Sequence, residues 1–314
     1  MAGMHTVVTG ANGFVGAAAV AALRYMPGAV VPVVRSAGPE GSIAVGPIGP
    51  ETDWSKALRG AECVIHTAAR VHVMDGDGPG AAAQYRVVNV LGTRRLAEQA
   101  AAAGVRRLVF VSSVKVNGER TRLGTPFRAD GPPMPEDAYG HSKLEAEQAL
   151  RAIATATGLE VVVVRAPLVY GPGVRANFAQ LVRAVRRGMP LPFAGIDNRR
   201  SLVGLDNLVD LLLVCAQHSA AAGHTFMVSD GHDLSTPELI RGLARAMDRA
   251  PRLFTVPAGL LRIGGRLAGR SRALERLTGS LQVDIRLTTH VLGWKPRVSV
   301  EAGMARTVAG LGAI

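Results

Sequence analysis

Cysteine, aromatic residues and lysine are all scarce in this 314-residue chain. The two cysteines, Cys63 and Cys215, stand far apart in apolar surroundings, with no CxxC. That excludes a disulfide framework and suits a reducing, cytoplasmic compartment. The eight histidines include no pair at zinc-motif spacing, so no metal site is expected. Aromatics make up 4% of residues, and no basic run is interleaved with Phe, Tyr or Trp. A stacking platform for single-stranded nucleic acid is therefore not expected. Residues 1–23 lack Asp, Glu, Lys and Arg. They read as strand, turn and buried helix rather than leader or membrane span. The run has no basic start, and Gly10-Ala11-Asn12-Gly13 breaks it in the middle. No other stretch reads as a membrane span.

What is present is a globular composition, 48% hydrophobic and 19% charged, with a formal charge of +12. Such a charge admits nucleic acid, anionic membrane or anionic small molecules as partners; plain arginine-rich composition explains it equally well. Only four of the 36 basic residues are lysines: Lys56, Lys115, Lys143 and Lys295. A position that keeps lysine against this background asks for a reason.

Apolar runs alternate with helical stretches. The runs are "HTVVTG" (5–10), "AVVPVVRS" (29–36), "AECVIHTAA" (61–69), "RRLVFVSS" (106–113) and "LEVVVVRAP" (159–167). Helical patterns occupy Gly13 to Arg24, 83–103 and 138–158. Near-continuous Val/Ile runs separated by helices indicate parallel strands covered on both faces. The expected fold is a Rossmann-type, doubly wound α/β sheet. Beyond Pro167 the regularity fades. Residues 171–200 read as a mixed segment, 205–218 as a core helix, 224–230 as a strand and 299–311 as a last helix. Residues 1–170 plus 201–228 are assigned to a dinucleotide-binding domain. Residues 171–200 plus 229–314 are assigned to a smaller, interleaved C-terminal α/β substrate domain.

The stretch "VVTGANGFVG" (7–16) is strand, Gly10-x-x-Gly13-x-x-Gly16, then helix. Gly10 permits a tight turn, Gly13 a close backbone approach to pyrophosphate, and Gly16 close packing of the helix. The helix start supplies oriented N–H groups. Asn12, Phe14 and Val15 complete this loop. The second strand ends in Arg35 rather than an acid, so a ribose 2′-phosphate is accommodated and NADP(H) is favoured, with NAD(H) the alternative. In "DAYGHSKLEAEQAL" (137–150), Tyr139 and Lys143 share a helical face at i and i+4. A neighbouring ammonium and a nearby oxidised nicotinamide are both expected to lower the phenol's pKa and equip it to exchange protons with a sugar hydroxyl or ketone.

These motifs together resemble the extended short-chain dehydrogenase/reductase superfamily, and within it the NAD-dependent epimerase/dehydratase family. The resemblance covers nearly the whole chain, through "TGANGFVG", "HTAAR" (66–70), Asn89 in "NVLGT", "VSSVKVNG" (111–118), Tyr139-x-x-x-Lys143 and "RAPLVYGPG" (165–173). The wording is similar to UDP-galactose/UDP-glucose 4-epimerases and UDP-4-keto-6-deoxy-N-acetylhexosamine 4-reductases. The resemblance implies further cofactor contacts at Ala68, Ala69, Asn89, Tyr139, Lys143 and Pro167. It implies a catalytic set of Ser113, Tyr139 and Lys143, with Ser113 and Tyr139 on the substrate oxygen and Lys143 on the nicotinamide ribose. Asn177 and Arg200 match positions that bind the UDP phosphates, and Arg276 is a weaker match for a third. Three departures stand out. Gly46-Pro47-Ile48 replaces Gly-Asp-Ile/Leu on the adenine side, with Asp53 as the candidate substitute. Asn117 replaces the tyrosine of "VYG". Lys115 occupies a position where the epimerases have a small residue; it reads as a loop anchor or as a group near the substrate's acyl-amino or phosphate group.

The function expected is hydride transfer at C4 of a UDP-hexose or UDP-N-acetylhexosamine. The leading reading is an NADPH-dependent 4-keto reductase in surface polysaccharide precursor synthesis. The alternative is an NAD-dependent 4-epimerase. A non-enzymatic NADP-binding sensor is a further reading, against which the intact Tyr139–Lys143 pair argues. A homodimer through the Tyr139 helix and the 83–103 helix is expected from the resemblance. Arg262, Arg266 and Arg270 share one face of 257–277, which reads as annex packing or as peripheral contact with anionic lipid.

Overall fold

Each apolar run becomes a strand buried on both faces. The computed structural model describes residues 3–71, 80–267 and 271–310. Nine strands lie among them: β1 (Thr6–Thr9), β2 (Val30–Val34), β3 (Ile43–Ala44), β4 (Cys63–His66), β5 (Arg107–Ser113), β6 (Glu160–Ala166), β7 (Leu168–Tyr170), β8 (Leu202–Gly204) and β9 (Thr225–Met227). Seven form one parallel sheet in the order β3-β2-β1-β4-β5-β6-β9. The chain starts at β1, winds outward to β2 and β3, then returns to β4 and continues the other way. A crevice therefore opens at the carboxyl ends of β1 and β4, where the winding reverses.

Helices cover both faces. On one, α1 (Phe14–Leu23) and α7 (Leu205–Gln217) pack Ala19, Val20, Leu208 and Leu211 against Val8, Ile65 and Val109. On the other, α2 (Ser55–Leu58), α4 (Gly92–Ala102) and α5 (Ala138–Thr157) bring Leu58, Leu96 and Leu150 onto Val7, Val64, Leu108 and Phe110. The two clusters alternate along each strand, as the period of two requires. Burying a leucine or phenylalanine of this kind stabilises by about 1.5–3 kcal/mol.

The helix expected at 83–103 is not uniform. Helix α3 (Ala81–Tyr85) passes into a π-helical stretch, Arg86–Leu91, before α4. The segment 171–200 is more ordered than its composition suggested. It carries α6 (Ala176–Arg186), whose Phe178, Leu181, Val182 and Val185 recur at helical spacing and are buried. Strands β7 and β8 pair in a separate parallel sheet of two. Helix α8 (Thr236–Ala246) starts on a capping box in which Ser235 and Glu238 satisfy each other's backbone N–H, and it buries Leu239, Ile240 and Leu243. These helices and α12 (Val300–Gly310) enclose the second core around Tyr170 and Met304. Between them lie α9 (Ala258–Leu267), α10 (Ser271–Thr278) and α11 (Arg286–Leu292). A Cβ on Gly265 would approach Leu274 to 2.7 Å, so α9 and α10 pack directly on each other. The 257–277 stretch is thus two helices rather than one amphipathic rod; Arg270 lies outside the described residues.

Candidate active site

The glycine loop leaves β1 at Gly10, which has φ +69°, a left-handed conformation that favours glycine. A Cβ there would also sit 2.8 Å from the backbone N of Ala68, so the loops after β1 and β4 meet across the crevice. On Gly16 a Cβ would fall 2.2 Å from the Gly10 carbonyl oxygen, so α1 is drawn tight against the turn. Gly13 is the N-cap of α1 and has no side-chain cap. Its N–H donates to Gly10 O at 2.8 Å, and Asn12 and Gly13 are exposed, with Phe14 and Val15 half-buried. The first-turn N–H groups of α1 consequently face the crevice with little bulk over them. That cradle fits a dinucleotide pyrophosphate. Ala68 faces the loop from the opposite side, with half-buried Ala69 next in the chain, and buried Pro167 follows the end of β6, where Ala166 is in register with Ser113.

Behind this surface lies a buried polar layer. His66 Nδ1 is 2.6 Å from Thr9 Oγ1 and Nε2 is 2.9 Å from Thr93 Oγ1, tying β1, β4 and α4 together. Complete burial, with Lys143 nearby, pushes the imidazole down to about 3 and keeps it neutral. The Asn89 side chain accepts from Arg70 N at 2.8 Å and donates to Arg70 O at 3.0 Å and Ser142 Oγ at 2.9 Å. It pins the loop after β4 to α5 from the π-helical stretch, a feature frequent near functional sites.

Ser113 ends β5, and its hydroxyl accepts from Lys115 N at 3.2 Å. Helix α5 begins immediately alongside, because a Cβ on Gly140 would lie 2.8 Å from Lys115 O. Asp137 caps α5 by accepting from Gly140 N at 2.7 Å. Tyr139 is half-buried, its ring edge-on to Tyr85 at 6.0 Å between centroids. Lys143 is buried; Nζ donates to Val111 O at 2.9 Å, sits 4.4 Å from the Phe110 ring centroid and lies 6.0 Å from that of Tyr139. Burial pushes Lys143 down to about 7, with Glu147 four residues on pulling it back up. Burial, then Asp137 and Tyr85, holds Tyr139 above the ordinary tyrosine value, and Lys143 at this distance does not reverse it.

Helix α5 is held by a buried ion pair that the sequence reading missed. Arg165 of β6 donates to Glu147 at 2.6 and 3.0 Å, Ser112 Oγ donates to the same carboxylate at 2.6 Å, and Arg165 Nη1 reaches Asn117 Oδ1 at 3.0 Å. Asn117 thus has a structural use where the family's tyrosine is absent.

On the opposite side, Arg200 is half-buried. Its Nη1 donates to Gly279 O at 2.8 Å, and its backbone pairs with Leu234. Burial and the nearby Arg276 push its pKa down to about 10, while Glu119 opposes them. Guanidinium groups such as these suit the geometry of an anion such as a diphosphate. Asn177 is exposed in the first turn of α6, beside Ala176, whose φ of +56° is strained for a non-glycine residue. Lys115 Nζ is 2.5 Å from Glu119 Oε1 and is also ion-paired to Asp137. Arg35 is exposed just after β2. Asp53 is exposed, and its Oδ1 accepts from Ser55 N at 2.9 Å at the start of α2. Among the described residues no group of three or more His, Cys, Asp or Glu is placed to hold a metal ion, and no helix is long and apolar enough to cross a membrane.

A parallel sheet with a glycine loop at its winding reversal, and a Tyr-x-x-x-Lys helix packed beside a serine strand end, define an extended short-chain dehydrogenase/reductase enzyme. Residues 6–229 match the family model described as the NAD dependent epimerase/dehydratase family, and the chain belongs to that family. It is 46% identical over 306 residues to a UDP-glucose 4-epimerase of Vibrio cholerae, covering 96% of this chain and 93% of the relative. It is similar to the structure of MoeE5 in complex with UDP-glucose and NAD, with TM-score 0.77, 27% identity and 98% of each chain covered. A UDP-glucuronic acid 4-epimerase from Bacillus cereus in complex with NAD shares the fold at TM-score 0.79 and 20% identity, over 98% of this chain and 96% of that one.

Proposed function

We propose that this protein is an NAD-dependent 4-epimerase of a UDP-hexose, with UDP-glucose as its first candidate substrate. The observation that carries the reading is the 46% identity, across 96% of the chain, to a protein of that activity, in a chain that keeps Ser113, Tyr139 and Lys143. This prefers the epimerase over the reductase favoured from Arg35 alone. The glycine cradle at Gly10, Gly13 and Gly16, with Ala68, Ala69 and Pro167 opposite, would hold the dinucleotide. When bound, that group supplies a hydride acceptor and a positive charge beside the phenol. Tyr139 takes the proton from the sugar O4 and returns it after the hexose has turned. Ser113 hydrogen-bonds the same oxygen. Lys143 has three N–H donors, of which Val111 O takes one, so others remain for ribose hydroxyls. Arg200, Arg276 and Asn177 hold the diphosphate. Residues 171–200 and 229–314 supply this substrate side, and the enzyme assembles as a homodimer through α4 and α5, which pack side by side.

The test is to denature the purified protein, identify the released nucleotide, and offer UDP-glucose and UDP-N-acetylglucosamine without added reductant. Retained NAD and redox-neutral appearance of the 4-epimer are expected. A second reading, reduction of UDP-4-keto-6-deoxy-N-acetylglucosamine by NADPH, is favoured by the exposed Arg35 at the end of β2. Stoichiometric NADPH consumption with that sugar, and no epimerisation, would replace the first reading.

A further inference from the structure

Lys115 is one of only four lysines, and the proton-transfer set does not use it. Its side chain lies between two acids. Glu119 Oε1 is 2.5 Å from Nζ, and the Asp137 carboxylate is ion-paired to the same ammonium. The other oxygen of Asp137 accepts from Gly140 N at 2.7 Å and so caps α5. The Lys115 carbonyl is the atom that a Cβ on Gly140 would meet at 2.8 Å. Through its ammonium and its carbonyl, Lys115 therefore holds the first turn of α5 on either side of Tyr139.

We infer that Lys115 is a positioning residue for Tyr139, clamping the capping carboxylate of Asp137 and offsetting its negative charge two residues before the phenol. This rests on Tyr139 being the acid–base group of the proposed reaction. Among the described residues, the groups around the phenol include Asp137 and Lys143 on its own helix, Tyr85 on α3, Arg70 stacked 6.0 Å over the Tyr85 ring, and Lys115 with Glu119 from the turn after β5. Of these, Asp137 and Tyr85 make the phenol harder to ionise. Removing the ammonium paired with Asp137 leaves that carboxylate's field less compensated, and a charge within about 4–6 Å of a titrating group changes its proton affinity by about tenfold or more.

The chain has four tyrosines, which makes side-chain-labelled tyrosine NMR tractable, with the Tyr139 signal assigned by its loss in Tyr139→Phe. In the full-length protein with its nucleotide, Lys115→Met is expected to move the Tyr139 titration, and the rising limb of kcat against pH with UDP-glucose, upward by about one pH unit. KM for UDP-glucose should stay within about twofold. Asp137→Asn keeps the cap and removes the charge, so both should move downward, and the double variant should return close to wild type. Lys115→Arg should behave as wild type. Thermal unfolding of each variant establishes that it is folded, and if Lys115→Met is not, the double variant and Asp137→Asn carry the test. An unmoved titration in Lys115→Met overturns the inference. So does a KM raised about tenfold with the titration unmoved, which would make Lys115 a substrate ligand. Full turnover by Tyr139→Phe would instead remove the acid–base role, and the tyrosine titrations would still report separately on Lys115.

Discussion

Lys143 shows why one residue type is kept. A lysine ammonium is compact, and burial next to Phe110 brings it down to about 7 from 10.5. Across that window the unfolded chain holds more protons, so the stability contribution of Lys143 rises with pH and its cost is fully present below about 7. Lys143→Met should therefore lose activity by at least about a hundredfold while melting at the same or a higher temperature at neutral pH, the gain shrinking toward pH 10.5. Turnover and calorimetry across pH check both halves. His66 behaves differently. Its folded value, about 3, lies below the free value of 6.5, so stability falls as pH falls through that interval. His66→Gln should flatten the acid side of a melting-temperature profile while leaving the alkaline side unchanged. A profile parallel to wild type would show that His66 is not the acid-sensitive group. The tyrosine, lysine and glycines were legible as motifs. His66, Asp137 and Glu147 were not, because burial and pairing come from other strands.

At the scale of elements, α5 carries the chemistry and is fastened at both ends. Asp137 caps its start, Gly158 closes its end in the left-handed region, and the Glu147–Arg165 pair fixes its middle to β6. Removing one partner of a buried ion pair strands the other, at a cost of about 3–5 kcal/mol. Glu147→Gln should destabilise by that order in urea unfolding, and Glu147→Gln with Arg165→Met should recover a large part of it. Equal losses in the single and double variants would count against the pair as the anchor. The main strands and α5 were readable from apolar runs and period. Helix α6 was obscured by glycine and arginine, although Phe178, Leu181, Val182 and Val185 carry its repeat. Strand β3 is two residues long, and its pairing depends on β2 rather than on its own composition.

For the whole molecule, the expected assembly is a dimer of 32.8 kDa chains, checked by sedimentation at twice that mass; a monomer at micromolar concentration would oppose it. The charge of +12 predicts weak, salt-labile DNA binding that is absent at physiological salt. What the sequence by itself determined is the order of strands and helices, the dinucleotide loop and the Tyr139–Lys143 helix. Local periodicity and short spacings encode these, since they depend on neighbours along the chain. Tertiary structure alone decided that Asn89 holds a loop, that Arg200 reaches the Gly279 carbonyl, and that Lys115 faces Asp137. Those outcomes come from burial and from charges brought together by distant segments, which no local spacing records.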